Sequence, residues 1–126
     1  LVLGDPESIV ITPNQKYAVV GCRYMQSDTA NFVVFDLTKA AEIAQTKSIA
    51  FNADPKCVQV INDSELVTGS FGGNLMQWSL HSCQVTHEYC DEQSCTGTAH
   101  AGAISQLAVS SSRDFIVSAS HDGTAK

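Results

Sequence analysis

The chain has no cluster of Lys or Arg: seven basic residues are scattered among thirteen acidic ones, for a net charge of −6. Such a surface repels a phosphate backbone, so nucleic acid is not an expected partner. A long apolar run is also missing. The longest, from Tyr17 to Cys22, falls far short of the ~20 residues that cross a bilayer, and Leu1-Val2-Leu3 lacks the basic flank that opens a secretory signal. The expectation is a soluble, cytoplasmic chain with no membrane insertion. Cys22, Cys57, Cys83, Cys90 and Cys95 are odd in number and contain no C-x-x-C pair; reduced thiols fit this better than a disulfide framework. The glycine-rich stretch at 69–73 is followed by neither a Lys-Ser/Thr pair nor a helical pattern, so Gly72-Gly73 reads as a hairpin turn and not as a phosphate cradle.

What is present is a globular composition, 44% hydrophobic with 16% charged residues, enough for one domain with a core. Short β-branched and aromatic runs bounded by turn residues recur along the chain. An entry loop over 1–8 is followed by expected strands at 9–11, 17–22 and 31–37, with Thr12-Pro13-Asn14-Gln15-Lys16 as a turn and 23–30 as a loop. The segment 39–46, KAAEIAQT, favours helix by composition. It is nonetheless assigned to an outer strand over 42–46, with a helical turn at its start. Further strands are expected at 57–61, 65–70, 74–80 and 84–89, then at 104–109 and 115–120. Asn62-Asp63-Ser64 forms a glycosylation sequon, but the same residues suit a tight turn and are read as one.

These segments superimpose as a repeat. Val19-Val20-Gly21-Cys22 aligns with Val67-Thr68-Gly69-Ser70 and Val117-Ser118-Ala119-Ser120, and Phe35-Asp36-Leu37 aligns with Trp78-Ser79-Leu80. The clearest copy is 97–126: a His100-Ala101-Gly102 entry turn, a strand, a Ser-rich turn, a second strand, then His121-Asp122-Gly123-Thr124 opening a third. In that order of elements it resembles a blade of a WD-repeat propeller. The resemblance implies an all-β fold, a fragment of a β-propeller of four-stranded antiparallel blades, with 1–126 forming part of one domain. The blade-like units run over about 5–50, 51–96 and a truncated 97–126. Blades typically span ~40–45 residues, so loop insertions are expected at 23–30 and 90–98. Further blades from the same chain are expected beside these.

The same resemblance implies roles for particular residues. His100, Ser118 and Asp122 match a structural tetrad of hydrogen-bonded side chains, and Thr68 and Trp78 are its remnant in the second unit. That unit has Gly72 where the Asp is expected and no His before Cys57, while the first has Val20 and Phe35 in place of Ser and Trp; both lean instead on apolar packing. The implied function is non-catalytic: a protein-protein interaction scaffold that recognises other proteins through rim loops, with no cofactor. Phe71 and His121, each just before the tetrad Asp position, are expected on one rim with Arg23 and Tyr24 as a partner-binding set.

Two chemical readings compete with this one. His100, Ser118 and Asp122 are the residue types of a hydrolytic triad, but Ser118 falls within an expected strand between Val117 and Ala119, not on the exposed, strained turn a nucleophile needs. The cluster His81, Cys83, His87, Cys90, Cys95 and His100 could make a zinc-binding or enzymatic module. Its spacing argues otherwise, because knuckle pairs are absent and Cys83 and His87 are expected on one face of a strand with Cys90 beyond its end.

Overall fold

The computed structural model describes residues 5–23, 32–39, 44–49, 55–92 and 97–126, with residue 23 and the segment 44–49 described by their backbone alone. Ten strands follow one another: β1 (Asp5–Ile11), β2 (Tyr17–Arg23), β3 (Phe32–Asp36), β4 (Ala44–Ile49), β5 (Pro55–Val60), β6 (Glu65–Ser70), β7 (Leu75–Ser79), β8 (Gln84–Tyr89), β9 (Ile104–Val109) and β10 (Ile116–Ser120). They form two four-stranded antiparallel sheets, β1-β2-β3-β4 and β5-β6-β7-β8, and a two-stranded sheet of β9 and β10. The fold is all-β among the described residues, and no helix there is long and apolar enough to cross a membrane. Beside β10, Ala125 bridges to Ala119, and Ser118 and Lys126 exchange backbone hydrogen bonds of 2.8 and 3.0 Å, so a third strand begins there.

Register makes the repeat literal. Pro6↔Cys22, Pro55↔Ser70 and Ile104↔Ser120 are equivalent pairs, each beside an irregularity in the ladder. The turns repeat as well. Thr12 N–H donates to Tyr17 O and Ser110 N–H to Phe115 O, both at 2.9 Å, and the left-handed residue of each loop is Gln15 (φ 59°) or Arg113 (φ 67°). A hydroxyl closes each loop: Thr12 Oγ1 accepts from Tyr17 N–H, and Ser110 Oγ accepts from Phe115 N–H, both at 3.1 Å. Ser and Thr suit these sites because a short side chain can satisfy a turn amide the ladder cannot reach.

The sheets stack through their leading strands. β5 touches both β1 and β9, with β2 also against β5 and β6 against β9. One core lies between the first two sheets, built from Val19, Phe32, Val34, Val58, Leu66, Trp78 and Leu80, with the Phe32 and Trp78 rings 5.9 Å apart. A second, between the middle and last sheets, contains Cys57, Val67, Leu75, Ala99, Ile104 and Leu107. Cross-links stitch the first pair further: Val58 N–H donates to Ser8 Oγ at 3.1 Å and Asn14 N–H to Asp63 Oδ1 at 2.8 Å. Because the middle sheet is covered on both faces, β6 is buried continuously from Leu66 to Ser70. Each outer sheet has a face that exposes apolar side chains: Ile9 (66%) and Ile11 on β1, and Phe115 (68%) and Val117 at β10. Unbroken burial therefore marks β6, and Ala18 to Cys22 of β2 likewise, while β10 alternates.

Three sequence expectations need correction. The first strand starts at Asp5 rather than 9, because its polar start pairs with Cys22 and Arg23 across a bulge and so is ladder, not entry loop. The outer strand expected at 42–46 is β4, and its register with β3 runs to Ile49. Pairing with β3 overrides the helix preference of KAAEIAQT at 44–46, and the start of that segment, 40–43, lies outside the described residues. Finally, Cys83 is not on a strand: it sits in the turn between β7 and β8 with φ 57°, its N–H donating to Ser79 O.

Candidate functional site

The residues singled out in the third unit meet in one hydrogen-bonded group. The entry turn at 97–102 carries His100 against the β9–β10 pair, where its side chain is fully buried (0% exposed). Its Nδ1 lies 2.9 Å from Asp122 Oδ2 and its Nε2 lies 2.8 Å from Ser118 Oγ. A carboxylate can only accept, so Nδ1 carries the hydrogen of the first bond; the second joins Nε2 to the Ser118 hydroxyl, which also lies 3.4 Å from Lys126 O. Asp122 is the focus: its oxygens also accept from Thr124 Oγ1 (2.6 Å), Thr124 N–H (2.8 Å) and Ala101 N–H (3.1 Å). The Thr124 hydroxyl above all, helped by the His100 ring and the Thr124 and Ala101 amides, holds its carboxyl well below the usual carboxylate range and outweighs desolvation, the second-largest influence, which acts the other way. Among the described residues no buried side-chain nitrogen or oxygen lacks a partner.

The geometry between His100 and Ser118 is that of a nucleophile and its base, but what surrounds it is not. Ser118 is buried in mid-strand opposite Leu107, and its own N–H is bonded to Lys126 O. An oxyanion would need free amides around the serine. A cleft of about 840 Å³ opens beside Ser118 between the middle and last sheets, walled by Leu75, Tyr89, Ala99 and Ile116. On its rim Lys126 Nζ meets the Asp91 carboxylate and donates to Ala99 O at 2.8 Å.

In the second unit Thr68, at the register position of Ser118, bonds to Trp78 instead. Trp78 Nε1–H donates to Thr68 Oγ1 at 3.0 Å, and the Thr68 hydroxyl turns to Met76 O at 3.5 Å. Gly72 occupies the register position of Asp122, and Ser70 Oγ takes over the turn by accepting from Gly72 and Asn74 N–H at 3.2 and 2.9 Å. Sequence reasoning missed Gly73. This residue (φ 86°) packs so closely on the next unit that a Cβ would fall 2.1 Å from His100 O, and its own carbonyl accepts from His100 N–H at 3.2 Å. His100 thus ties two units together, by backbone to the turn of the middle sheet and by side chain to the turn of its own.

Arg23, Phe71 and His121 occupy one register position, following the equivalent residues Cys22, Ser70 and Ser120. They therefore lie at the same end of their sheets. His121 is exposed; Phe71 is half-buried, with the Lys56 ammonium 4.6 Å from its ring centroid. Tyr24 lies outside the described residues.

The residues of the competing Cys/His cluster are not gathered into one site. His81 sits on an exposed turn, His87 stands on β8 with its ring 4.5 Å from that of Tyr89, Cys90 Sγ donates to Gly97 O at 3.2 Å, and His100 is committed to Ser118 and Asp122. Cys95 lies outside the described residues. Among the described residues no group of three His, Cys, Asp or Glu side chains is placed to hold a metal ion.

Residues 92–126 match the family model of the WD domain, G-beta repeat. A WD repeat is found over those residues alone. The match takes in the whole His100–Ser118–Asp122 group, and the all-β antiparallel architecture of the described residues is consistent with a fragment of a WD-repeat propeller. WD repeats are generally non-enzymatic and generally bind other proteins, which supports a protein-interaction scaffold. No curated protein matches the chain.

Proposed function

We propose that this chain is a non-catalytic scaffold whose rim, at the end marked by Arg23, Phe71 and His121, engages partner proteins. The observation that carries this reading is their equivalence in register, which sets Arg23, Phe71 and His121 at the same end of three sheets. Arg and aromatic side chains are the types that dominate binding energy at protein interfaces. In this reading the His100, Ser118 and Asp122 group, with Thr68 and Trp78 in the second unit, is structural and holds the rim turns rigid so that loops are displayed at fixed geometry. Further blades would cover Ile9, Ile11, Phe115 and Val117, since apolar sheet faces of this kind are what adjacent blades bury in propellers.

The test is capture of protein partners by wild type and by Arg23→Ala, Phe71→Ala and His121→Ala, with thermal unfolding as a check on folding. Partners should be lost on the rim substitutions and retained on Arg113→Ala at the opposite end of the sheets. Loss on Arg113→Ala with retention on all three rim variants overturns the rim assignment. A wild-type esterase or peptidase activity abolished by Ser118→Ala overturns the non-catalytic reading.

A further inference from the structure

A second cleft, of about 280 Å³, lies between the first and middle sheets, at the end of the strands opposite the rim. Its walls come from four places in the chain: Tyr17 at the start of β2, Val34 and Asp36 on β3, Asp63 in the β5–β6 turn, and Leu80 with His81 after β7. Both flanking sheets are four-stranded, so the cleft is a feature of two completed units.

Its chemistry is unlike that of the core beneath it. Asp36 accepts from Thr38 N–H and from Thr38 Oγ1 through Oδ1 alone (2.9 and 2.5 Å). Those two bonds hold its carboxyl below the usual carboxylate range, with Lys39 exerting the weakest influence. Asp63 accepts Asn14 N–H through Oδ1 alone, at 2.8 Å. Each carboxylate is thus anchored by one oxygen and leaves Oδ2 without a partner among the described residues. The Tyr17 phenol stands in the same wall, and Val34 and Leu80 supply buried apolar surface.

We propose that this cleft accepts the guanidinium of an arginine side chain presented by a partner protein. Two carboxylates anchored from behind offer fixed acceptors, which suits a planar donor fork better than a point ammonium. The apolar floor matches the arginine stem, and a tyrosine ring at the side favours a flat cation over a hydrated one. Asp36 and Tyr17 are register partners, so ring and carboxylate enter the cleft from one ladder rung. The site is separate from the rim and does not depend on the rim reading.

The probe is N-acetyl-arginine methylamide, titrated into the full chain at low ionic strength and followed by NMR shifts of Tyr17, Asp36 and Asp63. The expected result is saturable binding that shifts these residues, with the lysine analogue weaker and the uncharged citrulline analogue not binding. Asp36→Asn and Asp63→Asn keep their anchoring Oδ1 and should each weaken binding about tenfold, the loss of one charge-assisted hydrogen bond. Glu88→Gln, which removes an exposed carboxylate on β8, should change nothing. Citrulline binding as well as arginine, equal loss in all three variants, or no saturable shift at these residues overturns the proposal.

Discussion

The turn between β6 and β7 and the turn after β10 share a backbone, yet different forces hold them in place. Both close with the same hydrogen bonds, Ser70 N–H to Asn74 O and Ser120 N–H to Thr124 O at 3.0 Å, and both carry a left-handed glycine, at 86° and 85°. In the third unit Asp122 draws the turn onto the His100 ring, so a directional polar network fixes it. In the second unit Trp78–Thr68 stands in that place, Ser70 Oγ accepts from the Gly72 and Asn74 amides, and close packing of Gly73 on the His100 backbone adds what the missing carboxylate would supply. One geometry can thus be held by a longer polar network within a unit, or by a shorter one together with a tight contact to the next unit.

The largest expected effect separates the two glycines. Gly73→Ala adds the strain of a left-handed alanine, ~1–2 kcal/mol, and drives a methyl into the His100 carbonyl, an overpacking cost of ~1–3 kcal/mol. Gly123→Ala meets nothing within 4 Å, so only the conformational strain of ~1–2 kcal/mol remains. Denaturant unfolding of both variants measures the gap. Equal losses would mean that the middle turn does not depend on its neighbour.

Next in size are the polar groups. Asp122→Ala deprives the buried His100 ring and the Ala101 and Thr124 amides of their acceptor and should cost ~1–3 kcal/mol. Thr68→Val removes the hydroxyl that accepts from Trp78 Nε1–H and should fall at the lower end of that range. If Thr68→Val proved the costlier, the second unit would rest on its polar remnant more than on its packing.

The third unit was legible in the sequence because everything it needs lies within one copy: His100, Ser118 and Asp122 come from a single stretch, and turn residues mark the ends of β9. β6 was equally clear, bounded by Asn62-Asp63-Ser64 before it and Gly72-Gly73 after it. β4 was not, since local propensity in KAAEIAQT points to helix and only the ladder with β3 decides. Gly73 was readable as a turn residue but not as a contact, because its partner is a backbone carbonyl in another unit and leaves no mark on residue type. The Tyr17, Asp36 and Asp63 cleft was hidden for a similar reason. Its members come from separate segments, and Asp63 read as an ordinary turn residue.

Acid should sharpen the contrast further. Asp122 is depressed below the ordinary carboxylate value, so the folded state binds its proton more weakly than the unfolded state. Its contribution is therefore complete above pH ~4 and is lost as the pH falls toward the folded value. Asp122→Asn should lower stability at neutral pH and flatten the acid limb of the stability curve, whereas Thr68→Val should leave that slope unchanged. Parallel acid limbs for wild type and Asp122→Asn would show that the network does not depend on the ionised carboxylate.

The smallest effect is a rate rather than a stability, and it reports on the seam itself. Cys57 is buried between the middle and last sheets, its Sγ 3.5 Å from Ile104 O and 3.8 Å from Gly69 O. Burial pushes its thiol up to about 11, partly offset by the Gly69 contact and Lys56, so little thiolate exists at neutral pH even if reagent reaches it. Alkylation followed by mass spectrometry should label exposed Cys90 well before Cys57. Because the thiol is reached only when the two sheets part, its labelling rate measures that opening rather than global stability, provided labelling is done well below the unfolding midpoint. Gly73→Ala acts on the seam and should accelerate Cys57 labelling; Asp122→Ala loosens a turn that belongs to the last unit alone and should accelerate it less for the same loss of stability. Equal acceleration at matched stability would place the turns and the seam in one cooperative unit, and the two ways of holding a turn would then be energetically indistinguishable.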